Sequence, residues 1–447
     1  MQRTQIDLLK GGIFKTMLSL AVPFLISNIF QQLYNTVDII IVGHYLGEVS
    51  LAAIGASAPI YNLLVGFALG IGSGMSIVSA RIYGARDGEM LKKSVAGTLV
   101  IGAIVTLILT ITSSFVLVPI LKLLGTPPEI LDEAYSYIKV ITLFLGVMLA
   151  YNICSSILRA IGNSIMPLVF LAISSLLNIG LDLLFIQHLQ MGIKGAAIAT
   201  VIAQALSTLL CLIYIFKKCE FLVPSKKHFK VNKVLYIDLA SQGISMGLMA
   251  ALVNIGSLIL QYAINTMGYL IIAGHMAART LVSFTIMPLN AVSSSLLTFV
   301  AQNKGANQRL RIIKAVRYAN RISMLWSVCI TVIIFFTAPF MLKLLTGSED
   351  GTIINYGVTF IWITTPFYLV LGPLFNLRYT LQGMGKKVVP LVSSTMELVG
   401  KVIFTFWIFP FTGPMGVILT EPVIWCLMLI QLAVAYYKDP YIRLGGD

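Results

Sequence analysis

Apolar runs of roughly 20–30 residues, each closed by Gly, Pro, Asn or charged residues, recur from one end of the chain to the other, and one such run suffices to cross a bilayer. Read by run and breaker, they predict twelve helices, at 15–42, 51–80, 94–118, 134–157, 165–186, 193–216, 237–266, 269–300, 314–337, 355–378, 388–410 and 414–437. Most joins are short. The longest, KKCEFLVPSKKHFKVNK after Phe216, is polar and basic and lies at the middle of the chain. It predicts an N-terminal lobe over 1–216, a linker over 217–236 and a C-terminal lobe over 237–447.

The two halves resemble each other. LRAIGNSIMPLV (158–169) pairs with LQGMGKKVVPLV (381–392), MGIKGAAIAT (191–200) with TGPMGVILTE (412–421), and SARIYGARD (79–87) with VAQNKGANQ (300–308). Six spans per half is an even number, so both halves enter the membrane in the same direction. The expected fold is all-α and integral to the membrane, with twelve transmembrane helices in two parallel-repeat six-helix lobes around a central cleft. Alternating-access transport uses that design; a channel subunit or a receptor does not need it.

Composition agrees with the pattern. The chain is 58% hydrophobic and 11% charged, where a soluble domain carries about 25% charged residues. A net charge of +14 raises nucleic acid as a partner, but the distribution of the cations removes it. The predicted loops on one side hold Arg3, Lys10, Lys15, Arg81, Arg86, Lys92, Lys93 and Arg159. They also hold the six linker lysines, six cations from Lys304 to Arg321, and Arg378, Lys386, Lys387, Lys438 and Arg443. The opposite side has only Lys122, Lys139, Lys194 and Lys343. Positive charge collects in cytoplasmic loops, so both termini are expected in the cytoplasm and the protein in the plasma (inner) membrane. Five scattered cysteines and four scattered histidines offer no zinc or disulfide spacing, and no removable signal peptide is read at the N-terminus.

Ionisable residues inside hydrocarbon are costly and mark function. Asp38, Asp182, Glu397 and Glu421 fall within or at the edge of spans. Asp38 ends a polar face Gln31–Tyr34–Asp38 on the first helix, and Asp182 follows Asn178 by one turn on the fifth. Asp38, Asp182 and Thr200 count to similar depths, about 6–10 Å from the outer helix ends at 1.5 Å per residue. Two carboxylates, an amide and a hydroxyl at one depth predict a site for a proton or a hard cation such as sodium, held by Asp38, Asn178, Asp182 and Thr200. The bland alternative is a hydrogen-bond network that only locks three helices together. An intramembrane aspartyl protease also uses two membrane aspartates, but neither its Tyr-Asp pair nor its Gly-x-Gly-Asp is present here.

The second half does not copy this set. Glu397, Lys401 and Glu421 stand where Asn178, Asp182 and Thr200 stand in the first, and the seventh helix has no acid to match Asp38. These three form a second polar cluster, read either as a self-neutralising i,i+4 pair with one further acid or as a second coupling site. Pro23, 15 residues before Asp38, is either a static kink or a hinge. Gly66, Gly70 and Gly74 repeat every fourth residue and predict close helix packing.

The run LAVPFLISNIFQQLYNTVDIIIVGHYLGEVSLAAIGASAPIYNLLVGFALGIGSGMSIVSARIYGARD resembles the first-lobe signature of multidrug and toxic compound extrusion (MATE) transporters, and IIAGHMAARTLVSFTIMPLNAVSSSLLTFVAQNKGAN that of the second lobe. The resemblance covers essentially the whole chain. It implies a secondary antiporter, not an enzyme, that exports organic cations or other amphiphilic compounds in exchange for protons or sodium ions and needs no cofactor. It further implies that Tyr34, Asp38, Asn152, Asn178, Asp182 and Thr200 form the coupling site, as in the DNA-damage-inducible-like branch. The lack of an acid at the position of the seventh helix that matches Asp38 argues against a second-lobe sodium site. The chain is expected to work as a monomer in the lipid bilayer on small amphiphilic or cationic substrates. The runner-up is a lipid-linked oligosaccharide or polysaccharide flippase of the same superfamily; such proteins usually carry cleft cations, whereas here Arg279 and Lys401 are the two cations read away from the ends of spans.

The cation asymmetry yields a labelling test. Cysteines placed at 47, 125, 190 and 348 should react with an impermeant reagent from outside, and those at 88, 226 and 306 only from inside. External labelling of position 226 in intact cells would reverse the orientation.

Overall fold

The structure, a computed structural model, describes residues 5–443, and these are helices and connecting turns with no strand among them. Arg3, counted above among the N-terminal cations, lies outside the described residues. In chain order the α-helices are α1 (Ile13–Gly84), α2 (Gly88–Leu123), α3 (Pro128–Leu143), α4 (Leu145–Ala160), α5 (Ile165–Asp182), α6 (Ile193–Lys218), α7 (Lys233–Asn265) and α8 (Tyr269–Gly305). They continue as α9 (Arg309–Thr346), α10 (Gly351–Thr364), α11 (Tyr368–Gly383), α12 (Val388–Ile403), α13 (Phe409–Thr412), α14 (Pro414–Tyr437) and α15 (Pro440–Arg443).

Ten helices, or bent continuations of helices, are long and apolar enough to cross a membrane, and the pair α3 and α4, bent by 48°, forms an eleventh span. The 72 residues of α1 would run to about 108 Å if straight, over three times a hydrocarbon core. Gly47, at φ 80° and ψ −171°, breaks α1 into two spans. The total is twelve, as the sequence predicts. The first connection differs from expectation, because a single glycine outside helical geometry replaces the eight-residue loop that apolarity suggested. Helices also overrun their apolar cores into capped ends. Asp87 accepts from the Met90 N–H at 2.8 Å to start α2, and Asp350 accepts from Thr352 at 2.7 Å to start α10.

The internal duplication is written into the backbone. Positive φ recurs at Gly47 and Gly268, Arg86 and Asn307, Gly125 and Gly347, Gly162 and Gly385, and Gly192 and Gly413. Members of these pairs stand 221 to 223 positions apart, the offset of the sequence repeats. The π-helical turns Leu183–His188 and Phe404–Ile408 keep the same spacing. So do the break at Phe144 and the 3-10 turn Thr365–Phe367, which interrupt the fourth and tenth spans. Only the second of these breaks carries a proline, Pro366, so the bend at Phe144 had no signal in the sequence.

By compactness the chain divides into one unit of residues 1–9 and 26–251 and another of residues 10–25 and 252–447. The divisions inside spans fall between Leu25 and Ile26 in α1 and between Ala251 and Leu252 in α7. The first unit packs around Leu117, Leu121, Ile138, Ile141, Leu158 and Ala197, and the second around Ala278, Leu281, Ala338, Leu342 and Ile361. Large apolar side chains face outward, with Phe115 and Phe336 each 77% exposed. In water such a surface would aggregate; in a bilayer it is solvated. Close packing is confirmed at two of the three spaced glycines. A Cβ on Gly70 would stand 2.8 Å from the Met246 carbonyl oxygen, and one on Gly74 would stand 2.5 Å from that of Gln242.

Gly162 allows the chain entry to dock. Its φ of 85° is open to glycine at little cost, and a Cβ there would clash with the Ile6 carbonyl oxygen. Around it the Ile6 N–H donates to the Gly162 carbonyl at 3.1 Å, Gln5 Nε2 donates to the Tyr83 hydroxyl at 2.6 Å, and Leu8 is fully buried. Gly162→Ala should therefore destabilise the protein by about 1–2 kcal/mol through backbone strain and a lost contact. A thermal-unfolding comparison with Gly12→Ala, whose Cβ meets nothing, checks this. Equal midpoints for the two variants would remove the docking role.

Candidate functional site

Asp38 lies nine residues before the Gly47 break, Asp182 six before the end of the π-helical turn at His188, and Thr200 seven after the start of α6. At 1.5 Å per residue these depths are about 9–14 Å. They are slightly greater than the sequence suggested, because the first span runs on to Gly47. All three residues belong to the first unit.

Asp38 opens on a cavity of about 170 Å³ lined by Tyr34, Asp38, Ser57, Tyr61, Tyr137 and Thr200 among others. Its polar lining is rich in acceptors. The Thr200 hydroxyl donates to the Ala196 carbonyl at 3.1 Å and the Ser57 hydroxyl to the Ile54 carbonyl at 2.9 Å. Both protons are thus spent on their own helices, and lone pairs remain for the cavity. Asp182 is fully buried and within hydrogen-bonding reach of Asp38. A hydrogen bond between two carboxyl groups requires a proton on one of them, since ionised carboxylates only accept. Asp38 Oδ1 and both Asp182 oxygens have no donor, and the amide of Asn178, one turn from Asp182 and 1% exposed, is also unpartnered. Buried acceptors left in this state are costly. A proton or a hard cation is the kind of partner these oxygens lack, whereas the Asn178 Nδ2 lacks an acceptor.

The predicted residues are therefore partly gathered. Tyr34, Asp38 and Thr200 share the cavity wall, and Asp182 adjoins Asp38. Asn178 is buried on the helix that carries Asp182. Asn152 does not line the cavity. Its Oδ1 is buried and unpartnered, at the place where a Cβ on Gly72 would stand 2.5 Å from it. Tyr137 and Ser57 line the cavity and were not found from sequence. No spacing distinguishes them from ordinary helix residues, and only the packing of α3 and the second span brings them to Asp38.

The second unit solves the same burial problem differently. Arg279 Nη1 donates to both Glu421 oxygens at 2.8 and 2.7 Å. Lys401 Nζ donates to Glu397 at 2.9 Å and to the Ser257 hydroxyl at 3.4 Å, and Arg378 stands 4.0 Å from Glu397. Glu397 and Lys401 thus form the i,i+4 pair that their spacing suggested. The Arg279–Glu421 pair, 142 positions apart, has no local pattern to reveal it. Glu397 and Glu421 each have a cation, whereas Asp38 and Asp182 have each other.

Pro23 lies within the helical stretch of α1, whose only non-helical residue is Gly47, two positions before the division between the compact units. Among the described residues no group of three or more His, Cys, Asp or Glu side chains is placed to hold a metal ion.

Comparison with known proteins agrees with this architecture. The MatE family model matches the chain twice, over residues 23–184 and 246–407, once in each repeat. The chain is 26% identical over 398 residues to the probable multidrug resistance protein YoeA of Bacillus subtilis, covering 88% of this chain and 86% of that one. It is 27% identical over 443 residues to the multidrug export protein MepA of Staphylococcus saprophyticus, covering 96% and 95%. Its fold superposes with a TM-score of 0.88 on an outward-facing multidrug resistance MATE transporter at 23% identity, covering 98% of this chain and all of that one. With the family model matching well over half of its length, the chain belongs to the MatE family of multidrug efflux transporters.

Proposed function

We propose that the protein is a secondary active antiporter that exports organic cations or other amphiphilic compounds in exchange for protons or sodium ions, with Asp38 and Asp182 as the coupling pair. The observation that carries this reading is a pair of facing carboxyl groups with unpartnered oxygens beside an acceptor-rich cavity. Asn178, Thr200 and Tyr34 complete the ligand set, and Asn152 supports it from the neighbouring helix. The cavity is lined by both carboxylate and tyrosine rings, which suits a cation. The relatives named as multidrug exporters support the cargo class.

In this scheme loading the pair with a proton or sodium neutralises the buried acids. Release restores a charge that the bilayer interior disfavours unless the surroundings rearrange. The repeats over 1–216 and 237–447, joined by 217–236, are the two lobes that alternate. Pro23 is a hinge within the first helix that bends when Asp38 changes charge, a role supported by its place beside the division between compact units. The protein sits in the plasma membrane as a monomer with both ends cytoplasmic. The second-lobe pairs Glu397–Lys401 and Arg279–Glu421 are neutral as they stand and serve packing.

One elementary charge moving through 100 mV supplies about 2.3 kcal/mol, sufficient for tens-fold accumulation of a neutral cargo. Everted vesicles given a pH gradient or a sodium gradient, one at a time, identify the ion. Asp38→Asn keeps the volume and removes the charge. It should insert normally and lose gradient-driven export by roughly tenfold or more, in line with the loss of an essential proton-transfer group. Glu397→Gln with Lys401→Met should be milder, because it deletes a self-neutral pair. Wild-type export by a normally expressed Asp38→Asn variant, with the same gradient dependence, would defeat the assignment.

A further inference from the structure

The linker between the sixth and seventh spans has two distinct faces. Its inner face is packed down: Cys219, Leu222 and His228 are buried. Glu89, at the start of α2, accepts from Lys227 Nζ at 3.2 Å and lies 3.1 Å from His228 Nε2. The Ser225 backbone N–H donates to His228 Nδ1 at 2.8 Å. These bonds make the linker a fixed part of the unit containing residues 26–251, where its length and composition alone would suggest a loose tether.

The outer face interleaves charge with apolar surface. Lys226, Lys230 and Lys233 are exposed, and between and beside them stand Phe229, Val231 and Val234, exposed by 42, 71 and 80%. Val234 begins a stripe that continues along α7 through Ile237, Ile244 and Leu248, all exposed. That helical spacing makes one continuous exposed apolar face of α7, as a side turned to lipid requires. The lysines therefore stand where the apolar stripe ends, at the level of the headgroups. No acid lies between residues 226 and 237, and Asp238 is engaged by Arg81 at 2.8 Å. A topological charge signal needs cations in a loop, but it does not need them interleaved with exposed Phe and Val.

We propose that this outer face is a docking surface for the anionic phospholipid headgroups of the adjoining leaflet. Lys226, Lys230 and Lys233 take the phosphates, and Phe229, Val231 and Val234 sit among the uppermost acyl carbons. The docked lipid then holds the linker, and the start of α7 with it, against the membrane plane. The surface rests on the membrane-spanning architecture alone and stands whatever ion or cargo the protein moves.

The test uses the full-length protein in nanodiscs, with a fluorophore on a single cysteine at Val231→Cys and acyl-chain nitroxide quenchers carried on phosphatidylglycerol or on phosphatidylcholine. Phosphatidylglycerol should reach half-maximal quenching at a several-fold lower mole fraction. Lys230→Gln should narrow that preference, and Lys226→Gln, Lys230→Gln and Lys233→Gln together should abolish it with the thermal midpoint unchanged. Equal quenching by the two lipids, no quenching by either, or a preference that survives the triple substitution would overturn the proposal.

Discussion

Inside a bilayer a polar group has no water to fall back on, and every charge must find its partner within the protein. That constraint decides most of what distinguishes the two halves of this chain. In the second unit Glu421 is held bidentately by Arg279, and Glu397 lies between Lys401 and Arg378. The partners are built into the protein, and the pairs are complete in a single arrangement. In the first unit Asp38 faces Asp182, and their oxygens, with the Asn178 amide, have no protein donor. Such a site has room for a partner from outside, which is the basis of the coupling role proposed for it.

The duplication shows how one backbone plan carries both solutions. Five positions of positive φ, two π-helical turns and two mid-span breaks recur at the repeat offset. Those features set where helices end, bend and widen, so they place residues at equivalent depths in both halves. What diverged is the side chain at each place. At the 223-position offset of the segments that open these helices Asn178 corresponds to Lys401 and Asp182 to Thr405, one turn away from where the sequence reading placed them, and at 221 positions Thr200 corresponds to Glu421. A lysine in place of an asparagine finds its counter-charge, Glu397, one turn away in its own helix. The π-helical turns begin at the residue after Asp182 in one repeat and three residues after Lys401 in the other. In both repeats the polar group thus sits at or near the local irregularity in the helix.

Much of this was legible beforehand because membrane folding is dominated by strong, local signals. Span number, the duplication and the acids inside spans follow from apolar runs and from the cost of burying charge. Three features were not legible, each for a physical reason. The bend at Phe144 involves neither glycine nor proline, and arises in a run, Leu143–Phe144–Leu145, that reads as continuous helix. The Gly47 break was hidden by the opposite effect: polar residues around His44 and Glu48 suggested a loop, yet both flanks stay helical up to one glycine. The Arg279–Glu421 pair and the contributions of Tyr137 and Ser57 depend on which helices meet. Spacing along a single helix carries no information about that.

The cavity beside Asp38 also bears on the choice between proton and sodium. Ser57 and Thr200 give their protons to their own helices, so they offer a cation only lone pairs. The phenols of Tyr34, Tyr61 and Tyr137 can donate to a carboxylate or turn a lone pair to a cation. A proton needs only the Asp38–Asp182 pair, where one bond between the carboxyl groups suffices. Sodium needs several oxygens at once, and must draw on Thr200, Asn178 and the phenols together. Residues outside the carboxyl pair therefore matter to a sodium-loaded state far more than to a protonated one. On the proposed coupling role both ions would draw on the same acceptor-rich lining, and the charge of Asp38 is the element they would share.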